Sequence, residues 1–86
     1  MIKIIYAPIF VRQFKKLNID LQDEVLEKIE LFKDASNHKI LKVHKLNGIY
    51  KNCFSFSVNY SYRIIFQYEN KKEVAFLSIG DHGIYK

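Results

Sequence analysis

The side chains best suited to chemistry lie in the last third of the chain. Arg63 stands in an apolar, strand-like segment, and His82 and Tyr85 follow a second apolar segment that ends near Gly80. An arginine holds phosphate oxygens through its planar fork, and a histidine can move a proton near neutral pH. Two neighbouring strands would bring these groups together, so the grouping favours phosphate chemistry.

Positive charge is segregated along the sequence. The net charge is +5, and no acidic residue stands between Asp34 and Glu69. That stretch contains four lysines and Arg63 among several aromatic residues, whereas residues 20–36 contain six acids and two lysines. A basic surface with interleaved aromatic residues is typical of a protein that binds a polyanion such as a nucleic acid. The alternative is that surface lysines only keep a small domain soluble.

Length and composition restrict the class of protein. Eighty-six residues with 49% hydrophobic side chains suffice for one domain with a single small core. The single Cys53 excludes an internal disulfide and a thiolate-rich zinc site, and it fits a reducing compartment. No apolar run reaches the roughly 18 to 20 residues that cross a bilayer. We expect a cytoplasmic domain that uses no metal or other cofactor and contacts no membrane.

The first part of the chain predicts a strand and two helices. Residues 2–6 are rich in β-branched side chains, and Pro8 stands where a helix can begin. Apolar residues at helical spacing predict a first helix that ends near Leu17. Asp20 is the predicted N-cap of a second, amphipathic helix over residues 21–35.

The hydrophobic period changes from the helical 3.6 to the strand value of 2 in the second half. Apolar and polar residues alternate over 54–58 and 62–68, and a third strand is predicted over 73–79. Residues 59–61 are short enough for a hairpin turn, and residues 40–48 are predicted to be irregular. The order β-α-α-β-β-β predicts an α+β fold, a twisted antiparallel sheet with two helices packed on one face.

Strand alternation also predicts where a groove would form. It places Arg63 on one face of the sheet with Ser55 and Ser57, and the helices cover the opposite, aromatic face. We expect the first face to be open, with basic groups and the residues after Gly80 at its rim.

The order of short motifs along the chain is informative as a set. The motifs are His44-Lys45-Leu46-Asn47-Gly48, Phe54-Ser55-Phe56-Ser57-Val58, Tyr62-Arg63-Ile64-Ile65-Phe66 and Ile79-Gly80-Asp81-His82, with Tyr85 after them. This set resembles the RelE/ParE superfamily of toxins from type II toxin-antitoxin pairs, over nearly the whole chain. The resemblance implies a metal-independent endoribonuclease that cleaves mRNA, usually on the ribosome. It also implies a cognate antitoxin, and contact with operator DNA only through the antitoxin complex.

The resemblance further implies roles for individual residues. Arg63 would stabilise the charge of the phosphorane, and His82 would protonate the departing 5′-oxygen. His44 would orient the substrate or serve as base, and Tyr85 would stack on a base or assist proton transfer. Contacts to the RNA backbone, and stacking by one tyrosine, are predicted for Lys42, Lys45, Lys51 and Tyr50.

Three serines depart from the family pattern and leave alternatives open. Ser55 and Ser57 stand where RelE proper has lysines, and Ser57 and Ser61 align with a histidine and an aspartate of the YafQ-like branch. ParE toxins share the fold, lack the ribonuclease residues and poison DNA gyrase, so a gyrase poison is one alternative. The other is a catalytically idle module that binds only the antitoxin or its operator complex.

Overall fold

In the computed structural model, which describes residues 1–81, two helices pack on one face of a five-stranded sheet. The elements are β1 (Lys3–Tyr6), α1 (Pro8–Lys15), α2 (Ile19–Phe32), β2 (His44–Lys45), β3 (Phe54–Ser57), β4 (Arg63–Asn70) and β5 (Glu73–Gly80). Short 3₁₀ turns at Ala35–Asn37 and Gly48–Tyr50 stand on either side of β2. The strand order across the sheet is β1-β5-β4-β3-β2. The predicted α+β class is confirmed.

Each helix begins at a residue that suits its position. Pro8 is the first residue of α1, where its missing N–H costs no helical hydrogen bond. Asn18 caps α2, because its backbone is extended and its Oδ1 accepts a 2.9 Å hydrogen bond from the Leu21 N–H. The predicted cap, Asp20, lies instead in the first turn, where its charge favours the helix dipole. Within residues 1–81, no helix is long and apolar enough to cross a membrane.

The sheet is mixed. Strands β2 to β5 are antiparallel neighbours, but β1 runs parallel to β5. The prediction of a wholly antiparallel sheet was therefore wrong for β1, because alternation identifies a strand and not the direction of its neighbour. Pairing with β1 ends at Tyr6 and Phe76. Farther along β5, the Ile79 N–H donates a 2.8 Å hydrogen bond to Gln13 Oε1 of α1.

Phe32 lies at the centre of the core between α2 and the sheet. Its ring is fully buried, and the ring centroids of Phe56, Phe66 and Phe76 lie 4.7, 4.9 and 5.3 Å from it. The ring of His38 stacks on Phe32 at 4.5 Å. These contacts hold the end of α2 against β3, β4 and β5. The aromatic core therefore fills the helix-facing side of the sheet, and polar side chains such as Arg63 lie on the opposite side.

The segment predicted to be irregular contains β2. Its two residues pair with β3 through His44 opposite Ser55 and Lys45 opposite Phe54. Two residues are too few to display a hydrophobic period, which is why the pattern did not predict this strand. The strand is important because it carries His44 onto the sheet.

Candidate active site

Arg63 and His44 lie on the face of the sheet that is turned away from the helices. In the sheet register Arg63 stands between Ser57 on β3 and Gly80 on β5, and His44 stands opposite Ser55. The predicted grouping of Arg63 with the two serines on one face is confirmed. Two strand spacings and a two-residue offset put the Cα atoms of Arg63 and His44 roughly 12 Å apart.

The centre of this face is covered. Ser55 has no exposed surface, and Ile65 beside it on β4 is 1% exposed. The prediction of an open face is therefore wrong at its centre. Ser55 stands between the larger side chains of its cross-strand neighbours His44 and Ile65, which helps to shield its short side chain. Arg63 and Ser57, two residues farther along their strands, are half-buried and reach the surface.

The Arg63 guanidinium is fixed by the turn that precedes it. Its Nη1 donates to the carbonyl oxygens of Asn59 at 2.8 Å, Tyr62 at 3.1 Å and Tyr60 at 3.3 Å. Within residues 1–81 its Nε and Nη2 make no hydrogen bond and its charge has no carboxylate partner. One edge of the guanidinium therefore sets its orientation, and the other nitrogens are available to an anion.

Asn59 organises that turn. Its Oδ1 accepts hydrogen bonds from the backbone N–H groups of Ser61 and Tyr62, both at 2.8 Å. Its Nδ2 donates to Glu24 Oε1 of α2 at 2.7 Å. A side chain that accepts from the backbone two residues on is the hallmark of an Asx turn. This turn supplies the carbonyl groups that hold Arg63.

His44 is held in one orientation by the backbone of Lys42. Its Nδ1 lies 2.9 Å from the Lys42 carbonyl oxygen. A carbonyl only accepts, so in the neutral ring Nδ1 carries the proton and Nε2 presents its lone pair. That Nε2 lies 3.5 Å from Ser55 Oγ, on the Arg63 face of the sheet. The arrangement suits a group that removes a proton.

A surface pocket of about 330 Å³ adjoins Arg63. It is lined by Lys42, Ser57, Asn59, Tyr60 and Arg63. None of these residues is acidic, and two are cationic. Within residues 1–81, no three histidine, cysteine or acidic side chains gather in a group that could hold a metal ion. The arrangement offers anion binding at the pocket and proton transfer at His44.

Three other predicted site residues, Lys45, Tyr50 and Lys51, do not line this pocket. Lys45 pairs with Phe54, so it belongs to the opposite face of the sheet from His44. Tyr50 and Lys51 lie in the connection between β2 and β3, and Ser61 is exposed in the turn before β4. His82 and Tyr85 lie outside the described residues.

Sequence reasoning missed two residues of the pocket. Asn59 and Tyr60 were predicted only as part of a hairpin turn, although both line the pocket beside Arg63. An asparagine at the start of a short turn is a signal for an Asx turn and could have indicated the role of Asn59. Nothing local indicates the role of Tyr60, which depends on the proximity of Arg63 and Lys42.

Comparison with known proteins relates the chain to solved structures. No protein-family model matches the chain, and no curated protein matches its sequence. The toxin-antitoxin complex RelBE2 from Mycobacterium tuberculosis matches with a TM-score of 0.75 and 18% identity, over 94% of this chain and 98% of that one. YafQ from E. coli matches with a TM-score of 0.71 and 16% identity, over 99% and 98% of the two chains.

A complex of YoeB and YefM from Staphylococcus aureus also matches. The TM-score is 0.73 and the identity 16%, over 95% of this chain and 98% of that one. At these identities the likeness concerns the fold, and it extends over nearly the full length of both chains in each comparison. Two helices against a five-stranded mixed sheet, with this coverage, give the chain the α+β fold of the RelE-like toxins.

Proposed function

We propose that the protein is the toxin of a type II toxin-antitoxin pair and that it cleaves mRNA without a metal ion or other cofactor. The observation that carries the proposal is that two groups lie on the same face of the sheet. One is the fixed guanidinium of Arg63, and the other is the imidazole of His44 with its Nε2 lone pair. An endoribonuclease that uses no metal needs these two kinds of group, one for charge and one for a proton.

In the proposed reaction His44 is the base. Its Nε2 removes the proton of a ribose 2′-hydroxyl, and the resulting oxygen attacks the adjacent phosphorus in line. The bond from phosphorus to the 5′-oxygen breaks, and His82 gives its proton to that oxygen. The products are a 2′,3′-cyclic phosphate and a 5′-hydroxyl. The hydrogen bond between Nδ1 and the Lys42 carbonyl favours this use of His44, because it puts the ring proton on Nδ1 and makes Nε2 the basic nitrogen. The ribose 2′-hydroxyl would take the place of the long 3.5 Å contact that Nε2 makes with Ser55 Oγ.

Arg63 neutralises the charge that develops on the phosphorane. The three carbonyl contacts to Nη1 hold the guanidinium before substrate arrives, so little reorganisation is needed when charge develops. Its Nε and Nη2 are the donors for phosphate oxygens. Gly80 is the partner of Arg63 on β5, and His82 follows Gly80 by two residues in the sequence. This proximity in the chain supports the pairing of Arg63 with His82 in the proposed site.

The remaining predicted residues serve binding in this proposal. Tyr85 stacks on a base or assists proton transfer, and Tyr50 stacks on a base. Lys42, Lys45 and Lys51 contact phosphates along the RNA, which gives affinity and salt dependence but no choice of sequence. Because Lys45 lies on the other face of the sheet, its contact is to a more distant phosphate than that held by Arg63.

The proposed partners are a cognate antitoxin, mRNA and the ribosome, with the protein in the cytoplasm. Operator DNA is contacted only through the antitoxin complex. Several of the similar structures are toxin-antitoxin complexes, which supports an antitoxin partner. We expect a small open reading frame for that partner directly upstream or downstream of the gene. A gene without such a neighbour would count against the toxin assignment.

Cleavage of a model mRNA in chelator tests the reaction, and it is measured without ribosomes because ribosomes themselves need magnesium. The RNA should be cut as fast in EDTA as in magnesium, and the 3′ ends should carry a cyclic phosphate or 3′-phosphate opposite a 5′-hydroxyl. Activity that EDTA abolishes and a metal restores would overturn the mechanism. A 5′-phosphate product would also overturn it, because water and not the 2′-oxygen would then be the nucleophile.

Induction in cells separates the proposal from the two other functions of this fold considered above. Growth arrest with loss of message and intact DNA supports the ribonuclease. Filamentation with a DNA damage response would instead identify a gyrase poison. Growth without either effect would identify a module that only binds its antitoxin.

A further inference from the structure

Two cations without acidic partners line one small pocket. Lys42 and Arg63 are both in the wall of the pocket of about 330 Å³, together with the polar residues Ser57 and Asn59. In the part of the chain that the structure describes, neither cation forms an ion pair. Because like charges side by side repel, a site of this kind is most stable when an anion occupies it.

The fifth residue of the pocket wall is an exposed aromatic. Tyr60 is 93% exposed, so its ring is not used by the core. Its own carbonyl oxygen accepts from Arg63 Nη1 at 3.3 Å, and the Asx turn made by Asn59 surrounds it. The backbone of Tyr60 is therefore fixed beside the guanidinium. Solvent-exposed aromatic rings next to phosphate-binding cations are the usual surface for single-stranded RNA, because each base offers a face for stacking.

The backbone of Lys42 is in the left-handed region, with a φ of 60°. This conformation is uncommon for a residue with a side chain and is strained. Hydrogen bonds on both sides maintain it, from the Lys42 N–H to the Lys39 carbonyl at 3.1 Å and from the Val43 N–H to the His38 carbonyl at 3.0 Å. The Lys42 carbonyl in turn accepts from His44. One strained residue thus directs its ammonium group to the pocket and its carbonyl to His44.

We propose that this pocket is a nucleotide subsite for single-stranded RNA. Lys42 and Arg63 together hold one phosphate, and the ring of Tyr60 stacks on a base next to that phosphate. Ser57 and Asn59 offer polar groups beside it. The subsite rests on the proposed function for its ligand, but its binding chemistry is independent of cleavage.

The test uses the full chain and RNA that cannot react. A fluorescein-labelled single-stranded RNA with 2′-O-methyl groups lacks the attacking hydroxyl, so anisotropy reports binding only. Lys42→Gly removes the ammonium group and accepts the left-handed backbone without strain. It should weaken binding about tenfold. It should also make the negative slope of log affinity against log salt shallower by about 0.7, the contribution of one phosphate contact on a single strand. Lys42→Arg should restore most of the affinity.

Tyr60 is tested in the same assay. Tyr60→Ala should weaken binding by about 5-fold to 150-fold, the range of one lost stacking contact, and leave the salt slope unchanged. Tyr60→Phe should bind like the original protein. Lys71→Ala is the matched control for charge, because Lys71 follows the far end of β4, roughly 25 Å along the strand from Arg63. Each variant is first compared with the original protein by thermal unfolding.

The outcomes separate the subsite from the proposed reaction. Unchanged affinity and salt slope in Lys42→Gly, or unchanged affinity in Tyr60→Ala, would overturn the subsite even if the protein cleaves unmodified RNA. Loss of binding in both variants supports the subsite even if unmodified RNA is not cut. In that case only the ribonuclease proposal falls. Equal weakening by Lys71→Ala would show that net charge, and not the pocket, holds the RNA.

Discussion

The side-chain amide of Asn59 donates a 2.7 Å hydrogen bond to the carboxylate of Glu24, and this contact joins the turn before Arg63 to helix α2. The two residues are 35 positions apart in the sequence. Through Asn59 the acidic helix is therefore connected to the element that orients the guanidinium.

Asn59→Ala should lower the free energy of unfolding and loosen Arg63. The change removes the acceptor for two backbone N–H groups and the donor to Glu24, and we expect a loss of about 1 to 2 kcal/mol. Urea unfolding measures it. Glu24→Gln is the control, since it retains an acceptor for Asn59 and should cost less. An equal loss in both variants would mean that the charge of Glu24, and not the Asx turn, accounts for the change in the free energy of unfolding.

Arg63→Ala and His82→Ala should each lower the rate of RNA cleavage by about 10² to 10⁴-fold. The reason is that Arg63, besides holding a phosphate in the bound RNA, stabilises the charge that develops in the transition state, and that His82 gives its proton only as that state forms. Single-turnover cleavage measures the rate, and antitoxin binding and thermal unfolding should be retained. Toxicity in cells should disappear with either change. If both variants stay fully toxic, the ribonuclease assignment fails and the gyrase poison becomes the leading interpretation.

Lys45→Ala should weaken RNA binding and leave the chemical step unchanged. In the proposal this lysine contacts a distant phosphate from the face opposite His44, so its loss should be largest at low salt. Binding across a salt series and cleavage at saturating RNA measure the two effects separately. A slower reaction at saturating RNA would place Lys45 at the reacting phosphate.

Phe32→Ala should cost about 3 to 5 kcal/mol of stability, the usual range for a fully buried phenylalanine. Three strand phenylalanines contact this ring, so its removal leaves a cavity at the centre of the core. A small domain has a total stability of about 5 to 15 kcal/mol, so partial unfolding at 37 °C is expected. Thermal unfolding checks this, with Tyr60→Ala as a surface control that should change stability by less than about 0.5 kcal/mol.

Asp34 should make stability depend on acid pH. Hydrogen bonds from the backbone and hydroxyl of Ser36 hold the pKa of the Asp34 carboxyl below its usual range. A carboxyl whose pKa is lowered by folding stabilises the fold above its unfolded value of about 3.9, and this contribution is lost as the pH falls through the lower folded value. Asp34→Asn keeps the cap but not the charge. It should be less stable than the original protein at pH 7, and urea unfolding should show the difference shrinking below about pH 3.9. A constant difference would contradict this.

The two-residue repeat of side chains along a strand determines which parts of the candidate site could be predicted from the sequence. Alternation in β3 and β4 is sufficient to place Arg63 on the same face of the sheet as Ser55 and Ser57, because side chains on a strand repeat every two residues. The pairing of Arg63 with Ser57 depends on the register of the two strands, which alternation does not give. The position of His44 requires β2, which is too short to show a period. The left-handed backbone of Lys42 has no local signal, since glycine and asparagine are the residues that favour it. The carbonyl contacts of Arg63 depend on the geometry of one turn. Asn59 is a signal for an Asx turn there, but that signal does not specify which carbonyl groups the guanidinium reaches.

The hydrogen bond between Gln13 and Ile79 has a consequence for self-association. Strand β5 continues past Phe76, the last residue that β1 pairs with, and among residues 1–81 no strand pairs with this part of its outer edge. An N–H group on such an edge can recruit a strand from another molecule. Gln13 Oε1 of α1 accepts the hydrogen bond of the Ile79 N–H, so an incoming strand would have to break this bond before it could pair there. The Gln13 side chain therefore both joins α1 to β5 and hinders polymerisation by strand addition at this edge.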